Sequence, residues 1–327
     1  MVAVSVPAVL VNVLSIIVFT NPHMRASSIS RMFAVLACVH LVPFLSMFPF
    51  NIYLHIIDSP CKSKAGQQIM YAILLIAWLG NSIDTWLIVT IAVERFVTIS
   101  RQHKSLHFKR KQVKYTVLGV FLWSFFMTLP YFFLYGVRQR PGIHSHCYDI
   151  DLTDLATSHT IESNLLFATL GGVGYFLPQV ILTVFTCLIV HNIRSAIRRR
   201  ATMTRYIPVS QLREQTRSTS ILLALMVMDI LAEIPHGILI FLNAYLEHFY
   251  YNVFVHLRHF LAMVSFTSKT LNFLVYYNLS RSFRETLKSY IFVQCARDER
   301  HPRMNMSLRG TTASTPIPRL VMTENEI

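Results

Sequence analysis

The sequence predicts an all-α protein, a bundle of seven membrane-spanning helices. Three observations predict it. Of the 327 residues, 53% are hydrophobic and only 14% are charged, where soluble domains carry about 25% charged residues. The mean hydropathy is +0.46. Long runs nearly free of charge recur along the chain, at 3–20, 32–57, 69–93, 115–136, 165–190, 219–245 and 252–277. Together these values exclude a disordered, collagen-like or disulfide-stapled chain.

Each run meets the length test in turn. A bilayer core about 30 Å thick takes roughly 20 residues of helix. The first run is short, and the expectation is that the natural N-terminus, with an extracellular arm, precedes it. It reads as a membrane helix rather than a secretory signal, because it has no basic leader and no small-residue cleavage site. Asn12 in its middle also suits a packed membrane helix. The second and third runs carry the ionisable residues His40 and Asp84. The fourth and fifth contain no Asp, Glu, Lys or Arg at all. The sixth carries Asp229 and Glu233, and the seventh Arg258 and Lys269.

The net charge of +14 sits in the connections. Of the 30 Lys and Arg, 24 lie after runs 1, 3 and 5 or in the tail. The opposite side has Lys62, Lys64, Arg138 and Arg140. Positive charge stays cytoplasmic, so the N-terminus is expected outside and the C-terminus inside. Basic loops against anionic lipid account for the charge without nucleic acid. The bilayer is thus the first expected partner.

Cys38 and Cys187 fall within helical runs and read as small core residues. Cys61 and Cys147 are the two expected on the outside, an oxidising compartment, and are expected to pair. Cys295 follows the last amphipathic stretch on the inside, where a palmitoyl chain would fit. Residues 294–327 are polar and read as a disordered tail.

Particular residues then point to a family. Glu94-Arg95-Phe96 closes the third run, Trp123 lies in the fourth, and Pro178 and Pro235 lie in the fifth and sixth. Asn272-Phe273-Leu274-Val275-Tyr276 ends the seventh and leads into Ser280-Arg281-Ser282-Phe283-Arg284. In this register the chain resembles rhodopsin-like G-protein-coupled receptors. Glu94-Arg95-Phe96 looks like their Asp/Glu-Arg-Tyr triplet. Asn272–Tyr276 looks like their Asn-Pro-x-x-Tyr motif, with phenylalanine in place of proline. The run Glu233-Ile234-Pro235-His236-Gly237-Ile238-Leu239 is similar to that of invertebrate myosuppressin and FMRFamide-type peptide receptors and related serpentine chemoreceptors.

The resemblance implies a receptor domain over 1–293. Its helices would cover about 3–20, 32–57, 69–99, 115–136, 165–190, 219–245 and 252–277, with a short amphipathic membrane-surface helix at 279–293. It implies a plasma-membrane receptor for an extracellular ligand, an amidated RFamide-type peptide by the nearer group, and a heterotrimeric G protein as inner partner. Neither enzyme activity nor a cofactor is implied. Glu94, Arg95, Phe96, Asn272 and Tyr276 would form the coupling switch. An Arg at the inner edge can pair with its neighbouring acid or swing to a partner, or simply snorkel to the interface.

The buried ionisable residues are the least ordinary feature. Counted at 1.5 Å per residue from the nearest inner Arg or helix end, His40, Asp84, Asp229 and Lys269 all lie about 13–18 Å deep. Charges at that depth cost several kcal/mol and call for partners. Family receptors hold a sodium ion at this level with an Asp in the second helix, and His40 stands at the matching position. An internal Asp84–Lys269 or Asp229–Lys269 pair is therefore expected in place of the ion. The other reading is a set of separate polar residues facing water.

Glu233 lies one turn outward of Asp229. It reads equally as a carboxylate for the arginine of an RFamide-type peptide and as a protonated group bonded to a neighbouring helix. His236, Asn81, Glu247 and Asp149 complete the candidate ligand site. Ala77 occupies the position where amine receptors carry an acid, which weighs against a monoamine.

Two rivals remain. His103-x-x-x-His107 and His256-x-x-His259 resemble fragments of membrane di-iron sites, but the charge pattern puts them on opposite sides of the membrane. A transporter would show repeats or Gly-broken helix pairs, and neither occurs.

Overall fold

The computed structural model describes residues 2–25, 27–55, 61–100, 110–139, 147–158, 160–201, 209–246 and 249–298. Helices dominate. In chain order they are α1 (Val2–Thr20), a single turn α2 (Pro22–Arg25), α3 (Ser28–His55), α4 (Lys64–Ser100) and α5 (Arg110–Leu134). Strands β1 (Tyr135–Gln139) and β2 (Tyr148–Leu152) follow, then short helices α6 (Asp154–Thr157) and α7 (Ile161–Ala168). A π-helical stretch, Thr169–Phe176, leads into α8 (Leu177–Ala201). After α9 (Val209–Leu242), a second π-helical stretch, Tyr250–Phe254, opens α10 (Val255–Leu279). The last helix is α11 (Arg281–Asp298).

Helix is the form a chain this apolar must take. Lipid offers backbone amides no partner, so each segment satisfies its own. Hydroxyls inside the spans do the same: Ser15, Thr128 and Thr186 each donate to the carbonyl four residues earlier, at 2.8, 2.7 and 2.6 Å. Among the described residues, five helical segments are long and apolar enough to cross a membrane: Ile29–Pro49, Lys64–Ser100, Gln112–Leu134, Ile161–Ser195 and Thr219–Leu242. The apolar stretch of α1, Ser5–Thr20, is shorter. The seventh predicted run forms α10 but is not among the five; it carries Arg258, His259 and Lys269, which lower its hydropathy.

Elsewhere the chain departs from expectation. The fourth run is helical only to Leu134, and its end turns into the hairpin β1–β2, antiparallel with Arg138 opposite Asp149. The fifth run starts earlier than predicted, at Ile161, where Thr160 caps α7 by accepting from the Ser163 amide. Pro178 is the second residue of α8, two residues after the π-helical turns, which accommodate its missing amide. Cys38 and Cys187, expected in the core, are exposed on the bundle surface. A thiol is small and apolar enough to face lipid as readily as protein.

The described residues form one compact unit through Arg284 and a second over Glu285–Asp298. Within the first, packing concentrates at two levels. Near the hairpin, Tyr131, Leu134, Leu152, Phe167, Leu170, Ile240 and Phe254 share one buried cluster. There α9 closes tightly on the preceding helix. A Cβ at Gly171 would sit 2.7 Å from the Phe241 backbone, and one at Gly237 2.7 Å from Tyr175 Cβ. At the other end, Phe19 packs edge-on against Tyr276 at 5.0 Å and tilted against Phe283 at 5.2 Å.

Ser280 divides α10 from α11. Its extended backbone ends α10, its amide donates to Tyr276 O at 2.9 Å, and its hydroxyl accepts from the Phe283 amide at 3.2 Å. Arg284 closes the end of α10 by donating to the carbonyls of Tyr277 and Asn278. The Arg217 side chain of α9 donates to the carbonyl of Leu279.

Candidate functional site

The hairpin is anchored to α4. Cys61, three residues before α4, is disulfide-bonded to Cys147 just before β2, with Cα atoms 4.7 Å apart. The Tyr148 amide donates to Lys62 O at 3.0 Å beside it. Arg138 pairs with Asp154 across the hairpin, and that carboxylate holds the guanidinium pKa above its ordinary value.

Beneath the hairpin the helices enclose a cavity of about 550 Å³, within the usual range for small-ligand sites. Trp78, Tyr131, Tyr135, Phe167, Phe254 and Phe266 contribute aromatic surface to its wall. Trp78 stacks on Tyr131 with centroids 4.1 Å apart. Tyr71 locks that wall by donating to the carbonyl of Tyr135 at 2.8 Å. The polar groups facing the cavity include Lys62, Gln67, Asn81, Asp149, Arg258 and Ser265.

Of the predicted ligand residues, Asn81, Asp149 and His236 line this cavity. His236 stacks on Tyr175 at 5.1 Å. Glu233 does not line it. It is buried below, accepting from Ser265 Oγ at 2.5 Å, and Ser265 is the group that faces the cavity. Its second oxygen, Oε2, has no hydrogen-bond partner. Glu247 lies outside the described residues.

Below the cavity the buried ionisable residues converge. Lys269 Nζ lies 2.6 Å from Asp84 Oδ2 and donates to Asn81 Oδ1. His40 Nε2 is 2.9 Å from Asp84 Oδ1, and its Nδ1 is 3.1 Å from Asn12 Oδ1. Lys269 also lies 3.9 Å from Glu233 Oε1. All of these side chains but Asn81 are deeply buried. Of the two pairings expected for Lys269, the geometry forms the one with Asp84. Asp229 instead accepts from Gln179 Nε2 at 3.1 Å. A low-dielectric interior makes an unpaired ion costly, and here each charge meets an opposite charge or a hydrogen-bond donor. The ammonium of Lys269 occupies the centre of an oxygen-lined site.

Sequence reasoning missed Gln179 and Ser265 as partners of the acids. Both are uncharged, and an isolated Gln or Ser in an apolar run carries no distinguishing signal. Asn12 and Arg258 were visible as polar residues within runs, but their contacts were not.

At the far end of α4, Glu94 is buried and sits beside the half-buried Arg95. Phe96 packs edge-on against Phe185 of α8 at 5.3 Å. Asn272 and Tyr276 are buried on α10, which runs unbroken through Phe273. The Tyr276 hydroxyl has no hydrogen-bond partner. Cys295 lies in α11.

This arrangement agrees with what the chain is similar to. A family model described as the serpentine type 7TM GPCR chemoreceptor Srw matches residues 1–294. The chain belongs to this family of G-protein-coupled receptors and is a membrane protein with several apolar helices. Among curated proteins it is similar to sex peptide receptor-related protein 2 of Caenorhabditis elegans, with 27% identity over 229 residues. Those residues are 64% of this chain and 51% of that protein. The chain spans about half the length of the curated relative it matches.

Proposed function

We propose that this chain is a plasma-membrane receptor of seven spans, N-terminus outside. It binds an extracellular peptide and promotes nucleotide exchange on a heterotrimeric G protein. The observation that carries this reading is the layout of α4. One 37-residue helix lines the cavity with Gln67, Ala77, Trp78 and Asn81. It then supplies Asp84 to the buried ion pair and carries Glu94-Arg95 in its last two turns. Asn81 and Arg95 are 14 residues apart, about 21 Å along the axis. Ligand contacts at one end thus reach the coupling residues through one rigid element and the Asp84–Lys269 pair.

The similarity to a sex peptide receptor-related protein and the Glu233–Leu239 run support a peptide ligand of the amidated RFamide type. The arginine of such a peptide would reach Glu233 Oε2 by displacing Ser265 from the cavity floor. The cavity volume also suits a small molecule, the reading a chemoreceptor family favours. The membrane-surface helix at α11, a palmitoyl group on Cys295 and docking by the basic loops 101–114 and 194–217 belong to the same proposal.

The test is a screen of amidated peptides and small organic molecules on cells expressing the chain, read by G-protein nucleotide exchange. Ligand-dependent exchange is expected. Ligand-driven current or uptake without exchange would overturn the reading.

A further inference from the structure

We infer that the ligand carries a carboxylate, received at the cavity by the guanidinium of Arg258. The inference deepens the receptor reading by naming a chemical group that the ligand of this cavity must present.

Arg258 lies one turn into α10 and faces the cavity. Its Nε is buried without a hydrogen-bond partner, and among the described residues it forms no ion pair. The groups beside it are the phenols of Tyr135 and Tyr250, which are uncharged acceptors. The buried cation below the cavity has found its oxygens: Lys269 has Asp84 and Asn81. Arg258 is half-buried and has none, and a guanidinium held partly out of water is stabilised best by a bidentate carboxylate.

A second donor without a partner lies in the same wall. Gln67 is 1% exposed and its side-chain amide nitrogen, Nε2, has no hydrogen-bond partner, yet Gln67 lines the cavity from α4. Buried donors of this kind are nearly always satisfied, and a ligand acceptor would complete it once the Gln67 amide turns toward the cavity. Lys62 adds a further cation at the lining, placed over the Tyr53 ring at 5.7 Å. Against these, Asp149 is the one acid among the lining residues, and its Oδ1 already accepts from the Ile150 amide at 2.9 Å. The lining therefore offers donors and positive charge around an aromatic wall. It fits an acid attached to an aromatic or apolar body.

The acid can come from a peptide side chain or from a free organic acid, and two pairs of probes separate these sources. One pair is the amidated tripeptide Phe-Asp-Phe-amide with its isostere Phe-Asn-Phe-amide. The other is indole-3-acetate with indole-3-acetamide. Each is added to the purified full chain in lipid nanodiscs, and stabilisation is read by the rise in Tm. This readout needs no G protein, so failure of exchange and failure of the carboxylate site are distinguishable. The acid of at least one pair should stabilise the protein at concentrations tenfold or more below its uncharged isostere, since a hydrogen bond to a charged group is worth roughly that factor or more. The pair that responds identifies the source. Arg258→Gln should remove the preference for the acid, and Arg258→Lys should keep part of it, with monodispersity confirming that both variants fold. Equal responses to acid and isostere, no response to either acid, or an undiminished preference in Arg258→Gln would overturn the inference.

Discussion

Lys269 Nζ stands 2.6 Å from Asp84 Oδ2 in the centre of the bundle, joining α10 to α4. His40 holds the other oxygen of the same carboxylate from α3. Three helices are thus tied through one side chain. The expected consequence is energetic coupling. Lys269→Ala should destabilise the protein by about 3–5 kcal/mol, because it leaves a buried carboxylate without its counter-charge. Adding Asp84→Asn should recover part of the loss. A double-mutant cycle on thermal stability in nanodiscs checks this, and strictly additive losses would show that the two side chains do not interact.

The same geometry bears on sodium. The Lys269 ammonium donates to Asn81 Oδ1 and lies against Asp84 Oδ2, taking up the oxygens that a sodium ion at this level would need. Replacing sodium chloride by an equal concentration of N-methylglucamine chloride should leave Tm and ligand affinity unchanged. In Lys269→Ala a sodium-specific rise in Tm is expected, as the vacated oxygens become available. Sodium dependence in the unmutated chain would contradict this assignment.

Three of these residues were legible in the sequence. Asp84 and Lys269 declare themselves as charges at mid-span, where each must meet something. His40 was legible by its depth and its register. The acid that pairs with Lys269 was not, since Asp84 and Asp229 lie at the same depth and only the rotation of the helices separates them. The hairpin escaped for another reason. Its first strand continues an apolar run without a break, so hydropathy reads Tyr135–Gln139 as the end of a helix. The π-helical stretch before Pro178 has no sequence signature beyond the nearby glycines.

The disulfide should matter to folding as much as to the cavity. Cys61 and Cys147 are 86 residues apart, so the bond closes a long loop and removes about 4–5 kcal/mol of chain entropy from the unfolded state. Cys61→Ser with Cys147→Ser should lower Tm and surface expression together. Unchanged stability under reducing conditions would show that the backbone bond from Tyr148 to Lys62 holds the hairpin unaided.

The tight approach of α9 to the preceding helix gives a steric prediction. Gly171→Val places branched carbons where even a Cβ would come within 2.7 Å of the Phe241 backbone. Overpacking of this kind costs about 1–3 kcal/mol, and here the neighbour is main chain that cannot rotate away. Thermal unfolding should show the loss in Gly171→Val. At Gly119, which has no heavy atom within 4 Å of an added Cβ, the same substitution should be nearly neutral.

In the proposed receptor, α4 carries the signal from the cavity to Arg95. The direct test is guanine-nucleotide exchange on a purified heterotrimeric G protein, driven by the chain in nanodiscs with an agonist from the screen. Exchange should rise on adding agonist to the unmutated chain. Arg95→Ala should abolish that rise while agonist binding and surface expression stay within about twofold, since Arg95 lies about 21 Å from the cavity floor. Full agonist-driven exchange by Arg95→Ala would contradict the account.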